Sequence, residues 1–575
     1  MIDGKVEEEK LRNDEVFDED YSRYNAITKF TMPAVTEGSV IEYTYKIKSP
    51  FLGSIGKTPL QYTIPINKLE LEIEIPEFFG FSNYFNLRSP LKFKLENSSK
   101  TFSKSFTSVN RQSYSTRGRT KSASQVSKVE YKLNTYVINR EDIPALKKEK
   151  HLDNLQNYAA YIDWELMYTK FPNSMVENLS TNWDGVAKSI YTDVGLKEEL
   201  NRSGFYDEDL EAVIAGVSNP VMKIKKIFNF VKQKVSWNDY LGYSPESGVK
   251  KAYKEGSGNT ADINILLVSM LKYAGVNAHP VLVSTASNGI PLFPTRNGFN
   301  YVIAGVELKD QLILLDASDP FSDIGELPGR ARNWQGRIIR EDGSSDWVNL
   351  SPTVHSQLRT QMNVRLSESG ISGMHNNIYE GLFAKSFRDH FSTTNEASYI
   401  EQLRSGNTGL DVTEFSIENK NSIGKEITEK YDFSLENGVD VIGNKMYLNP
   451  LLFESLKENP FKSSERVYPI FFDFPEKRSK TVNILIPDSY KVVTLPESTI
   501  VNLSEGGGQF RYIVSHQGSM IRIVSEININ RTIFRADEYE FLKKFYDNII
   551  KKQGEAIVLE KDIEDGLEER AASGR

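Results

Sequence analysis

The chain is 575 residues long, 39% hydrophobic, 26% charged and 11% aromatic, a composition that excludes a disordered or fibrous protein and supplies several hydrophobic cores. Its 70 Lys and Arg against 78 Asp and Glu leave a net charge of −8, so there is no positive field to hold a phosphate backbone, and no nucleic-acid partner is expected. With no cysteine there is no disulfide, no thiolate metal site and no cysteine nucleophile.

In chain order, the run Ile2-Asp3-Gly4-Lys5-Val6 reads as a turn between strands already under way, so earlier strands and any export leader are expected to precede this start. No run of 18 apolar residues occurs, and no transmembrane segment is expected. Ile41, Tyr43, Tyr45 and Ile47 alternate with Glu42, Thr44 and Lys46, which predicts a half-buried strand over 40–48. Leu69, Leu71, Ile73 and Ile75 alternate with three glutamates up to Pro76, and Val129, Tyr131 and Leu133 alternate with Glu130 and Lys132. The Ser/Thr/Arg-rich residues 101–127 read as a long mobile connection whose Arg111, Arg117, Arg119 and Lys121 are solvated. Antiparallel strands with one polar face predict an N-terminal β-sandwich.

From about Thr181 the period turns helical. Asn219-Pro220 caps a helix carrying Val221, Ile224, Ile227, Phe228, Val231 and Val235, and a second helix opens near Thr260 and stops at Gly275. Strands follow at 279–283, 301–306 and 312–315, an α+β order. Beyond Ser351 strands return at 468–472, 481–486 and 521–527, interrupted by one late helix with Tyr539, Leu542, Phe545 and Ile549 on one face. A strand at 556–559 and a frayed tail over 561–575 close the chain.

Four stretches carry a resemblance: Gly256-Ser257-Gly258-Asn259-Thr260-Ala261-Asp262, the run from Ala274 through His279 to Val283, Phe299-Asn300-Tyr301-Val302, and Leu315-Asp316-Ala317. Together they resemble the transglutaminase-like core, a papain-like fold whose cysteine opens the central helix and whose histidine and aspartate lie on the strands that follow. Carried over by position, Thr260 takes the place of the cysteine, Asn300 that of the histidine and Asp316 that of the orienting acid. A threonine hydroxyl is far less acidic than a thiol and an amide is no base, so the resemblance implies a vestigial triad. Thr260 also reads simply as a helix N-cap whose oxygen accepts backbone N–H bonds, with Asp262 in the first turn, and Asn300 and Asp316 as hydrogen-bonding partners of each other or of nearby backbone. The runs Met32-Pro33-Ala34-Val35 and Asp142-Ile143-Pro144-Ala145-Leu146 resemble the domain of unknown function that precedes such cores in Bacteroidetes envelope proteins. Ile486-Pro487-Asp488-Ser489-Tyr490 resembles the β-rich domain that follows them.

The expected organisation is therefore multidomain: an N-terminal all-β sandwich over 1–175, truncated at its start, a central α+β transglutaminase/papain-like core over 176–350, and a C-terminal β-rich domain with one late helix over 351–575. The expected function is a catalytically inactive binding or structural module, for which the resemblance implies export to the periplasm or cell envelope. Its ligand would be a peptide, glycan or protein, met in a cleft near Trp237, Asn259, Asp262 and His279. The alternative is an active hydrolase or acyltransferase that uses carboxylates such as Asp262, Asp316 and Asp319. Neither metal nor cofactor is expected, because the six histidines are scattered without ligand spacing. Trp164, Trp183, Trp334 and Trp347, like Trp237, suit either a groove or core packing.

Overall fold

The computed structural model describes residues 8–22, 25–47, 52–112, 121–172, 174–179, 182–193, 195–309 and 311–562. The chain divides into two compact units, residues 1–55 and 56–575. The first holds an antiparallel hairpin of Val16–Ser22 with Asn25–Phe30. The strand expected over 40–48 is not formed: residues 41–47 pair with no strand among the described residues, and Ile41, Tyr43, Tyr45 and Ile47 are exposed. Alternation fixes which face a strand would bury, but a ladder also needs a neighbour for its N–H and C=O groups. The turn expected over 2–6, and Lys48, lie outside the described residues.

The second unit is multidomain and mostly β. It begins with two facing sheets. One orders Ile66–Pro76, Lys121–Ile143 and Glu96–Gln112, and the other Thr58–Pro59, Tyr161–Thr169 and Phe79–Phe85. Leu69, Leu71, Ile73 and Ile75 meet Ile138, Ile162 and Trp164 between them, leaving Glu70, Glu72 and Glu74 outside, as the period of two requires. The mobile connection expected over 101–127 is instead mainly a β-ribbon: Glu96–Gln112 pairs antiparallel with Lys121–Ile143 from Glu96 opposite Val137 to Gln112 opposite Lys121. A ladder needs only backbone groups, so the hydrophilic sequence did not prevent it. Arg117 and Arg119, and the side chains of Arg111 and Lys121, lie outside the described residues.

The middle of the unit is α+β. Pro220–Lys234 forms the first amphipathic helix, with Asn219 accepting the Met222 N–H at 3.0 Å. Thr260–Tyr273 is the central helix, buried on every side from Thr260 to Leu271. It packs on a five-stranded antiparallel sheet ordered Gln311–Leu315, Tyr301–Leu308, Ala278–Val283, Gln335–Ile339 and Ser345–Asn349. Gly258 must be glycine, since a Cβ there would lie 2.7 Å from that of Asp262.

The last third builds an eight-stranded sheet in which Ser356–Ser367 and Glu476–Leu485 run parallel and the other neighbours antiparallel. The late helix Tyr539–Gln553 buries Leu542, Phe545 and Ile549 in the same core, beside the closing strand Ile557–Lys561. Two helices were not expected, Leu382–Ser392 and Glu396–Ser405. The strand expected over 468–472 shrinks to Ile470–Phe471, paired with Ile533–Phe534, and residues 563–575 of the tail lie outside the described residues.

Candidate functional site

The central helix begins in a capping box. The Asn259 side chain accepts the Asp262 N–H at 2.7 Å, and Asp262 accepts the Asn259 N–H at 3.0 Å. Asp262 also accepts the Gly248 N–H at 2.9 Å and the Ser247 N–H at 3.3 Å, while the Asn259 amide donates to the Ser244 carbonyl at 3.1 Å. Both side chains are buried and bind the 242–248 loop to the helix. Burial pushes the Asp262 carboxyl upward against the lowering effect of these N–H groups.

Thr260, fully buried, is the first residue of that helix and not the N-cap expected of it: Asn259 caps the helix, because its side chain reaches the first-turn N–H while that of Thr260 turns to Gly242. Its hydroxyl accepts the Gly242 N–H at 3.0 Å and donates to the Gly242 carbonyl at 2.9 Å. Both roles of the hydroxyl are thus used on backbone, and among the described residues no base takes its proton.

One turn along the same helix face, Asn264 donates to Asp316 at 2.9 Å and to the Val302 carbonyl at 3.0 Å. Asp316, fully buried, accepts two further bonds from Ser318, at 3.0 Å from its N–H and 2.6 Å from its hydroxyl. The remaining donor is Tyr301, whose phenol reaches Asp316 at 2.7 Å. Asn300 does not reach Asp316. Its amide donates to the Thr285 hydroxyl at 2.8 Å and accepts the Thr285 N–H at 2.8 Å. Successive residues of an extended segment point to opposite faces, so of this adjacent pair one faces Thr285 and the other the acid. The structure joins Asp316 to Tyr301, and no hydrogen bond among the described residues links Thr260, Asn300 and Asp316 to one another.

Sequence reasoning also missed Arg330. Its Nε donates to the Tyr301 oxygen at 2.9 Å and its Nη2 to the Ser318 hydroxyl at 3.0 Å, while its guanidinium lies 4.3 Å from the Trp237 ring centroid. Trp237 in turn donates to the Tyr240 carbonyl at 2.9 Å, the same oxygen that accepts the Thr260 N–H at 3.3 Å. Thr260, Trp237, Arg330, Tyr301 and Asp316 are therefore joined in one contiguous constellation. Burial, with the Asp316 carboxylate beside it, pushes the Tyr301 phenol well above its ordinary value despite Arg330. It is a hydrogen-bond donor at neutral pH, not a base. No local motif marks Arg330; only the fold brings it here.

His279 stands elsewhere. Four strand positions separate it from Val283, the residue opposite Tyr301, a span of about 13 Å. Its Nε2 lies 2.9 Å from Asn277 Oδ1 and 3.3 Å from Glu307, and burial pulls its pKa down against the pull of Glu307. The carboxylates of the alternative reading are each committed separately. Burial alone would raise the Asp319 pKa, but Lys385 at 3.1 Å and Arg330 at 3.8 Å hold it below its ordinary value. A cleft of about 1330 Å³ elsewhere in the structure is lined by none of Thr260, Asn300, Tyr301 and Asp316.

Comparison with known proteins places this geometry. Residues 209–316 match the model of the transglutaminase-like superfamily, and residues 444–559 match a domain of unknown function with solved structure, DUF3858. The central domain thus has a transglutaminase-like fold, and no curated protein matches the chain. Among solved structures, a protein of Parabacteroides distasonis ATCC 8503 provisionally described as a protease is 12% identical, with 88% of this chain and 74% of that one covered and a TM-score of 0.47. A protein of Cytophaga hutchinsonii provisionally described as a cysteine protease is 10% identical, with 50% of this chain and 88% of that one covered and a TM-score of 0.17. No helix among the described residues is long and apolar enough to cross a membrane.

Proposed function

We propose that this chain is a transglutaminase-like protein without the family's acyl-transfer chemistry, a binding or structural module of the cell envelope built from segments 1–175, 176–350 and 351–575. The observation that carries this reading is the pairing at the central helix start. A nucleophile must present a lone pair to the substrate and lose its proton to a base. The Thr260 hydroxyl instead spends its proton on the Gly242 carbonyl and accepts the Gly242 N–H. The residue bonded to the acid is a protonated phenol, and a guanidinium, always charged, fills the space beside it. Tyr301 rather than Asn300 stands in the place of the triad base in this reading, because an orienting acid acts only on the group it is bonded to. The envelope location rests on the resemblance of the flanking runs to Bacteroidetes envelope proteins.

The test is an assay of the purified chain for amine incorporation into glutamine peptides and for peptide cleavage, with Thr260→Cys/Tyr301→His beside it. The wild type is expected to show no turnover. Turnover that Thr260→Ala abolishes would overturn the reading. Activity in the double variant alone would assign Tyr301 to the base position.

A further inference from the structure

Residues 41–47 carry an alternation that the fold leaves unused. Every residue from Ile41 to Ile47 is exposed and lies in neither helix nor strand, and none makes a backbone hydrogen bond among the described residues. Tyr43 and Tyr45 nevertheless lie on one side, their rings 6.3 Å apart and 16° from parallel, as side chains two residues apart do on an extended chain. The apolar row runs on to Phe30, at the end of the hairpin strand Asn25–Phe30, whose ring is 5.5 Å from that of Tyr43. Tyr45 is 74% and Ile47 80% exposed, so the row is uncovered. Between these residues stand Glu42, Thr44 and Lys46, and neither charge has an ionic partner among the described residues.

An uncovered segment with free N–H and C=O groups is a template for a further strand. The segment is complementary to itself. Laid antiparallel on a second copy about a two-fold axis through Thr44, Ile41 stands opposite Ile47, Glu42 opposite Lys46, Tyr43 opposite Tyr45 and Thr44 opposite Thr44. Each acid then meets a base, once on either side of the axis, and the two apolar rows share one face. Moving the axis to Tyr43 or Tyr45 sets Glu42 or Lys46 opposite Thr44 and parts the two charges. We propose that residues 41–47 are a dimerisation strand, which pairs antiparallel with the same strand of a second copy about Thr44. The pairing is independent of whether the central core turns over a substrate.

Sedimentation equilibrium of the full chain between about 1 and 300 μM tests the pairing. A ribbon of so few strands binds weakly, so the average mass is expected to rise from monomer toward dimer within that range. Glu42→Lys sets two bases face to face on either side of the axis and is expected to weaken the dimer at least about tenfold, and Lys46→Glu, which sets two acids face to face, to do the same. The double variant Glu42→Lys/Lys46→Glu, and an equimolar mixture of the two single variants, are each expected to restore dimerisation, because opposite charges face each other again. These positions are exposed, so the changes leave folding intact. As the chain has no cysteine, Thr44→Cys supplies a single thiol at the axis, where opposed Cα atoms lie about 4.5–5.5 Å apart. With oxidised glutathione it is expected to give a covalent dimer on a non-reducing gel. Val40→Cys, at a position 95% exposed but about 27 Å from its mate across the axis, is expected to stay monomeric on that gel. A monomer throughout the range, a dimer undiminished by Glu42→Lys, a double variant as weak as the single ones, or equal cross-linking of the two thiol variants would overturn the assignment. The first of these results would give the apolar row to a strand of a different protein.

Discussion

The phenol of Tyr301 has three partners, Asp316 at 2.7 Å, Ser318 at 2.9 Å and Arg330 at 2.9 Å, in a fully buried position. Tyr301→Phe keeps the ring and its packing but leaves a carboxylate oxygen and a guanidinium nitrogen short of a partner, which is expected to cost about 1–3 kcal/mol in urea unfolding. Asn300→Ala removes two bonds to Thr285 at a half-buried position and is expected to cost less, about 1 kcal/mol. The reverse order of the two losses would return Asn300 to the interior and sink the assignment of Tyr301. The same pair shows how far the site was legible. The stretches 299–302 and 315–317 lie side by side in the fold, with Tyr301 bonded to Asp316. A one-residue ambiguity, harmless to the fold, then exchanges the two faces of the strand, and with them which side chain meets Asp316. Arg330 was beyond reach because it enters from a turn, Gly329–Ala331, whose position follows from tertiary packing alone.

Between elements, one buried charge set joins three segments of the C-terminal sheet. Glu454, from the short helical turn Leu452–Glu454, lies 3.1 Å from His375 of strand Gly370–Tyr379 and 3.1 Å from Lys480 of strand Glu476–Leu485. Burial alone would raise the Glu454 pKa, but the hydrogen bond from His375 and the charge of Lys480 bring it down to about 2. A carboxyl with a lower pKa folded than unfolded binds fewer protons in the native state, so its contribution is complete above about 4.5 and is lost as pH falls from there toward 2. Unfolding free energies measured at pH 7, 4.5, 3.5 and 2.5 are expected to fall over the last three points, and Lys480→Met to flatten that fall. An unchanged slope in the variant would remove Lys480 as a cause. Elements whose period matched their burial were legible, such as Pro220–Lys234 and Thr260–Tyr273. Helix Leu382–Ser392 was not, because it buries Lys385 and Arg388 where a stripe of apolar residues was sought. Arg388 serves the Ser422 and Lys425 carbonyls at 2.8 Å each, and the helix start is capped by Ser356 of another strand, whose hydroxyl accepts the Leu382 N–H at 2.9 Å. Neither partner is near in sequence, so neither left a local signal.

At the scale of the whole molecule, the central core and the C-terminal domain meet through charge. Lys385 is 5% exposed and lies 3.1 Å from Asp319 and 2.8 Å from Asp389, while Asp319, 6% exposed, also faces Arg330 at 3.8 Å. The chain Tyr301, Arg330, Asp319, Lys385 thus runs from the site into the helix Leu382–Ser392. Breaking a buried ion pair from one side leaves the other charge without its compensation, so Lys385→Met is expected to destabilise the chain by about 3 kcal/mol, with Arg330 moderating the loss. The double variant Lys385→Met/Asp319→Asn removes the stranded charge and keeps an oxygen for the Phe321 and Ser322 N–H groups, which Asp319 accepts at 3.0 and 2.9 Å. It is expected to recover at least about half of the loss, because residues in contact do not add independently. Urea unfolding of the wild type, both single variants and the double variant closes the cycle. If the two single losses simply add, the pair is not coupled, and the contact between core and C-terminal domain must be carried by others, such as that of Arg332 with the Asp473 carbonyl at 3.0 Å.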